Sequence, residues 1–227
     1  MRYKWILFDA DDTIFSFDDL TGLSKMLLQY DIELTHKEYL EYKQLNNHLF
    51  AQFQKGEISA NDIKTQRFTK WAKQLDMDPV ELNAKFMEVM IDVCKPLDGA
   101  LELLDFLKDK VNLGIITNGF TDLQVERLKR NGLTNYFDIL VVSEEVGVAK
   151  PNIKIFEHEF SLMDNPNLDE VLMVGDRLDS DIIGGNNAGV DTCWINLHNK
   201  TNLEDIMPTY TVPSLTSLKQ LLHEHIV

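Results

Sequence analysis

Trp5-Ile6-Leu7-Phe8-Asp9-Ala10-Asp11-Asp12-Thr13 is the stretch on which the reading of this chain turns. Four apolar residues stop at three carboxylates within four positions, and a hydroxyl follows. A short apolar run bounded by turn-forming residues reads as a buried strand, with a buried helical segment as the alternative. As a strand it sets Asp9 at its carboxyl end, the edge where open α/β sheets bind ligands. Asp11 comes two residues later and projects on the same side as Asp9 if the chain stays extended. Two converging carboxylates repel each other unless a proton or cation lies between them, and hard oxygen ligands suit Mg²⁺. An EF-hand loop does not fit, because Ile14 and Leu20 stand where its glycine and its closing glutamate would fall. A helix-capping acidic turn is the other reading of these residues.

Bulk properties narrow the function classes. The chain has 227 residues, enough for one large domain or a domain with an insertion. It has 22 basic and 37 acidic residues, a net charge of −15, which disfavours nucleic acid and anionic membrane surfaces as partners. A phosphorylated small molecule would need a local cluster of lysine, amide N–H groups or metal. Two cysteines, Cys94 and Cys193, give neither a disulfide framework nor a zinc motif. The N-terminal residues do not read as a signal peptide, and no apolar run approaches the ~18 residues of a membrane span. The expectation is a reduced, cytoplasmic protein.

Outward from the first strand the pattern changes. Between Phe15 and Lys95 capping-box patterns recur at Thr35–Glu38, Ser59–Asp62 and Asp78–Glu81, the last with Pro79 at the first helical position. Amphipathic stretches over 20–30, 38–54, 62–75 and 80–93 predict four helices, a small bundle inserted after the first strand. From Pro96 strands and helices alternate, with strands expected at 113–117, 139–142, 171–174 and 192–195 and a closing helix over 215–226. That alternation implies right-handed βαβ units and a parallel sheet. The expected fold is therefore α/β, a Rossmann-like parallel sheet (1–15 and 95–227) with an inserted helical-bundle cap (16–94).

Each strong strand ends in residues that can carry chemistry. Thr117-Asn118-Gly119 offers a hydroxyl and then a glycine that lets backbone N–H groups approach a ligand. Lys150-Pro151 precedes a helix and supplies a cation. Gly175-Asp176 repeats the arrangement at Asp9 from a second strand, and Asp181 can return to the same place if the chain turns into a helix. Taken singly, these are an ordinary strand–helix turn, a surface lysine and an N-capped helix. Together, in that order and each after a buried strand, they point to one phosphate- and metal-handling site.

These four clusters resemble the motifs of the haloacid dehalogenase superfamily of phosphohydrolases, and the helical insertion is similar to its type-one cap. The resemblance implies Asp9 as nucleophile and Asp11 as general acid and base. It also implies phosphate contacts from Thr117, the Asn118 amide and Lys150. Mg²⁺, with Mn²⁺ or Co²⁺ as other candidate ions, would be held by Asp9, the Asp11 backbone carbonyl and Asp176, with Thr13 and Asp181 behind them. An aspartate at position 11 fits phosphatases and phosphomutases rather than dehalogenases, whose halide leaves without a proton. The longer runs 5–13, 114–121 and 143–152 resemble the pyrimidine 5′-nucleotidase branch. This implies a nucleoside monophosphate substrate (UMP, dUMP or dTMP), with a sugar-phosphate or phosphoglycolate-type phosphatase or a phosphomutase as the alternative. A catalytically idle sensor would have lost one of these acids. Phe15, Phe17, Phe50, Phe53, Trp71 and Phe120 are candidate stacking faces for a base, although each also suits a core, and His48 reads as a surface or packed helix residue. The sequence does not set the oligomeric state.

Overall fold

In the computed structural model, which describes residues 2–202 and 205–226, the acidic stretch follows the central strand of a six-stranded parallel sheet. That strand, β1 (Trp5–Phe8), lies between β2 (Asn112–Thr117) and β4 (Val171–Gly175) in the order β3-β2-β1-β4-β5-β6. The outer strands are β3 (Ile139–Val142), β5 (Asp191–Ile195) and β6 (Tyr210–Val212). Strand order runs outward in opposite directions from β1 and β4, so the switch point lies between them. Phe8 pairs with Ile115 on one side and Val174 on the other, which brings the carboxyl ends of the three central strands level.

Both faces of the sheet are covered, and side chains alternate between them with the period of the pleat. Ile6, Phe8, Leu113, Ile115 and Val174 face one layer, built from α6 (Ala100–Leu107), α7 (Thr121–Arg130) and α11 (Leu215–Ile226). Leu7, Ile116, Val141 and Met173 face the other, with Phe156 and Phe160 of α9 (Ile153–Leu162) and Ala188 of α10 (Ile183–Ala188). The one-turn helix α8 (Ser143–Val146) joins β3 to the segment leading into α9.

The insertion between β1 and α6 contains five helices: α1 (Asp19–Leu28), α2 (His36–Gln54), α3 (Ala60–Gln66), α4 (Thr69–Leu75) and α5 (Pro79–Val93). Thr35 and Ser59 form reciprocal capping boxes with Glu38 and Asp62, and Asp78 caps α5 ahead of Pro79. The third predicted helix is two. It breaks at Arg67-Phe68, consecutive residues that are both buried, whereas a straight helix turns neighbouring side chains roughly 100° apart. Tyr42, Phe68, Trp71 and Phe86 form the heart of the bundle, with ring centroids 5.4 to 6.3 Å apart. The chain enters and leaves the insertion side by side: Ser16 N donates to Lys95 O at 2.8 Å, and Leu97 N donates to Ile14 O at 2.8 Å.

The sequence pattern did not signal β6 or α8, since three or four residues are too few to show a period. The helix expected after β4 starts with a wide π-type turn, Leu178–Ile182.

Glu159 on α9 is fully buried beneath β2, and neither carboxylate oxygen has a hydrogen-bond partner among the described residues. A Cβ at Gly114 would lie 2.7 Å from its Oε1, so the strand approaches this side chain closely only because glycine stands there. Burial pushes the Glu159 carboxyl up to about 8, against the pull of the Lys150 charge. Between the ordinary glutamate value and about pH 8 the folded chain holds a proton that the unfolded chain has lost, so stability falls as pH rises through this window. Glu159→Gln is therefore expected to match wild type in urea-unfolding midpoint near pH 5 and to exceed it at about pH 8, by on the order of a few kcal/mol.

Candidate active site

Backbone geometry places the acids first. Asp9 N donates to Val174 O at 2.8 Å, which holds Asp9 at the joint edge of β1 and β4. The chain then turns tightly: Ile14 N and Phe15 N both donate to Ala10 O, and Asp12 takes a left-handed φ of 56°. The turn covers residues 12–14, after Asp11; Asp9 and Asp11 line the same cavity, but their carboxylates meet different cations. Asp9 Oδ1 accepts from Lys150 Nζ at 2.7 Å, whereas Asp11 pairs with Arg127.

Lys150 is almost fully buried, and its Nζ also contacts Asp181 Oδ1 at 2.8 Å and Ile116 O at 2.6 Å. Asn118 holds the lysine backbone from both sides, with Nδ2 donating to Lys150 O at 2.9 Å and Oδ1 accepting from Lys150 N at 2.8 Å. Thr117, buried at the end of β2, accepts from Gly119 N at 3.1 Å. Thr13 is buried, and its Oγ1 has no hydrogen-bond partner among the described residues.

The second acidic cluster folds back through the wide turn after β4. Asp181 accepts from Arg177 N at 3.0 Å and lies so close to Gly175 that a Cβ there would sit 2.4 Å from its Cγ. Asp9, Asp176 and Asp181 each offer a carboxylate oxygen within 4.8 Å of the others, a donor set suited to a hard cation. Asp181, expected behind the ligands, is the third carboxylate of this group; Asp11 was expected to offer its backbone carbonyl.

Electrostatics fit the same picture. Burial raises Asp9 and Asp181 against the pull of Lys150. Burial also works to lower the Lys150 ammonium, but Asp181 and Asp9 outweigh it and the net direction is up. Burial, reinforced by the charges of Asp181, Asp9 and Asp12, pushes Asp176 up to about 8. A bound cation would relieve this crowding.

A cavity of about 450 Å³ opens from Asp9, Asp11, Thr117, Asn118, Lys150 and Asp176 to Phe17, Tyr42, Asn46, Phe50 and Arg67 on the helical side. Of the aromatic candidates, Phe17, Phe50 and Phe120 line it; Phe15, Phe53 and Trp71 belong to the core, and His48 is exposed on α2. Two arginines were not singled out in the sequence, although both are buried. Arg127 holds Asp11 and Gln124, its guanidinium lying 4.5 Å from the Phe15 ring centroid. The signal for it was the face of α7, where Leu123, Gln124, Arg127 and Leu128 recur at helical spacing.

The model for haloacid dehalogenase-like hydrolases matches residues 3–189. The chain belongs to that family. It is 48% identical over 225 residues to the pyrimidine 5′-nucleotidase YjjG of Escherichia coli, covering 99% of this chain and all of that protein. It is 33% identical over 235 residues to the pyrimidine 5′-nucleotidase PynA of Streptococcus pneumoniae, covering all of this chain and 98% of that protein. Among solved structures, the Bacillus subtilis HAD-hydrolase YfnB bound to magnesium matches with a TM-score of 0.84 and 32% identity, over 98% of this chain and 99% of that one.

A cation taken up by the Asp9, Asp176 and Asp181 cluster would displace the proton that burial and neighbouring carboxylates hold on Asp176 below about pH 8. Calorimetric titration with a divalent cation is expected to show proton release near neutral pH and an apparent affinity that rises with pH until about 8. Asp176→Asn is expected to weaken cation binding and to reduce the proton release.

Proposed function

We propose that this hydrolase removes phosphate from nucleoside 5′-monophosphates, with pyrimidine nucleotides preferred, through an aspartyl phosphate on Asp9. One observation carries the reading: a single cavity joins the Asp9–Lys150 centre to an amide- and aromatic-lined wall of the insertion. The full-length likeness to two pyrimidine 5′-nucleotidases supports the substrate class.

In this reading residues 1–15 and 95–227 form the chemical core and 16–94 a cap over it. A carboxylate oxygen of Asp9 attacks phosphorus as the bond to the 5′-oxygen breaks, and Asp11 gives that oxygen its proton. Asp11 then takes a proton from the water that attacks phosphorus, the bond to Asp9 breaks, and inorganic phosphate leaves with the carboxylate restored. Arg127 holds the Asp11 side chain in place, while Lys150, Thr117 and the Asn118 N–H face the phosphoryl oxygens where charge collects. Asp9, Asp176 and Asp181 would hold Mg²⁺, with the Asp11 carbonyl as a further ligand and Thr13 behind; when bound, the ion draws charge from those oxygens.

The test is phosphate release, with Mg²⁺, from a panel of nucleotides and sugar phosphates. Pyrimidine monophosphates are expected to lead, Asp9→Asn to fall to background, and Asp11→Asn to lose about 10²–10⁴-fold. If sugar phosphates lead, the substrate assignment fails. If Asp9→Asn stays active, the nucleophile assignment fails.

A further inference from the structure

Arg67 is a buried cation, 3% exposed, and among the described residues no carboxylate is paired directly to it. Its Nε donates to Asn83 Oδ1 at 2.9 Å and its Nη1 to Asn46 Oδ1 at 3.3 Å, and the Tyr42 hydroxyl touches it as well. Asp19, whose charge reaches it, is held by Lys43 at 2.9 Å and by the Tyr39 hydroxyl at 2.8 Å. The guanidinium lies 4.9 to 5.3 Å from the ring centroids of Phe120, Phe68 and Phe86. Desolvating a guanidinium is costly, and an apolar side chain would fill this place more cheaply if packing were its whole role. Arg67 instead reaches the cavity wall, beside Asn46.

The chemistry of that wall is specific. A guanidinium only donates: Nε and Nη2 go to Asn83, Nη1 to Asn46 and one more N–H to the Tyr42 hydroxyl, which leaves one of its five N–H groups over. Asn46 Oδ1 accepts one hydrogen bond from Arg67 and keeps a second lone pair. A donor and an acceptor therefore stand side by side in the lining of the cavity that also holds Asp9, Thr117 and Lys150. A ring edge with a carbonyl oxygen next to a ring N–H matches that pair, and uracil and thymine both carry one. Cytosine turns an amino group towards the donor and an unprotonated nitrogen towards the acceptor, which mismatches both.

Resting on the nucleotidase reading above, we propose that Arg67 and Asn46 read the 4-oxo, N3–H edge of the pyrimidine and discriminate uracil and thymine from cytosine. Phe17 and Phe50, both partly exposed in the cavity, flank the ring. Arg67 and Asn46 are specificity residues; the reacting atoms lie with Asp9 and Asp11.

The test compares kcat and KM for UMP, CMP and the base-free ester p-nitrophenyl phosphate in wild type, Arg67→Lys and Asn46→Ala, with thermal midpoints measured alongside. Asn46 is half-buried on α2, so its variant separates base reading from the folding role of Arg67. Wild type is expected to favour UMP over CMP. In both variants KM for UMP is expected to rise about 10- to 100-fold, the magnitude of a lost charge-assisted hydrogen bond, with kcat little changed. The UMP-to-CMP ratio should narrow, while the loss should not extend to the base-free ester. An unchanged ratio in a wild-type-like fold overturns the proposal, as does a parallel loss on p-nitrophenyl phosphate. A wild type that treats UMP and CMP alike, yet prefers both to sugar phosphates, overturns the edge reading and leaves the nucleotidase reading standing. A wild type that prefers neither overturns both.

Discussion

The ammonium of Lys150, enclosed between Asp9 and Asp181, is the contact on which the rest of this structure depends. Three acids from two strand ends could not share so small a buried volume without it. The lysine is not on either strand. It is delivered by the loop after α8, whose backbone is fastened by the Asn118 side chain, which in turn follows β2. Three neighbouring strand ends are thus tied into one electrostatic unit, and the level register of β1, β2 and β4 is the condition for it.

Much of this arrangement could be read in the chain. The strand preceding Asp9, the glycines at positions 119 and 175 and the order of the acidic clusters have short-range signatures, because each concerns a strand end and the turn after it. The parallel sheet followed from alternation and the insertion from its capping boxes. What escaped was long-range or too short to have a period. β6 has three residues and exists because the neighbouring edge of β5 accepts it. The break at Arg67-Phe68 is imposed by the interior of the bundle rather than by a local helix breaker. The turn of Asp11 towards Arg127 depends on a side chain 116 residues away. That Asp181 lies beside Asp9 and Asp176 was open to the sequence only as a possibility, since it required the chain to re-enter the site through the wide turn after β4.

The two buried arginines illustrate how similar side chains serve different ends in one cavity. Arg127 belongs to the sheet-side layer and meets a carboxylate, so its charge is answered within the protein. Arg67 belongs to the insertion and meets amides, a phenol and aromatic faces. A cavity with crowded carboxylates and a lysine at one end and an arginine among amides and aromatic rings at the other is asymmetric by construction.

The paired crossings at Ile14–Leu97 and Ser16–Lys95 have an evolutionary consequence. Because the chain leaves and re-enters the sheet layer at one point, the helical bundle is covalently joined to it at a single place, with its other contacts, such as Lys64 with Glu144 and Phe50 with Phe120, made by side chains. Its helices can lengthen, break or exchange residues without a cut in any strand of the sheet, so the helical wall of the cavity and the acids at the strand ends can diversify on separate clocks. Relatives built on this plan are expected to keep their strand-end acids in register while their bundles drift to accept new phosphate esters.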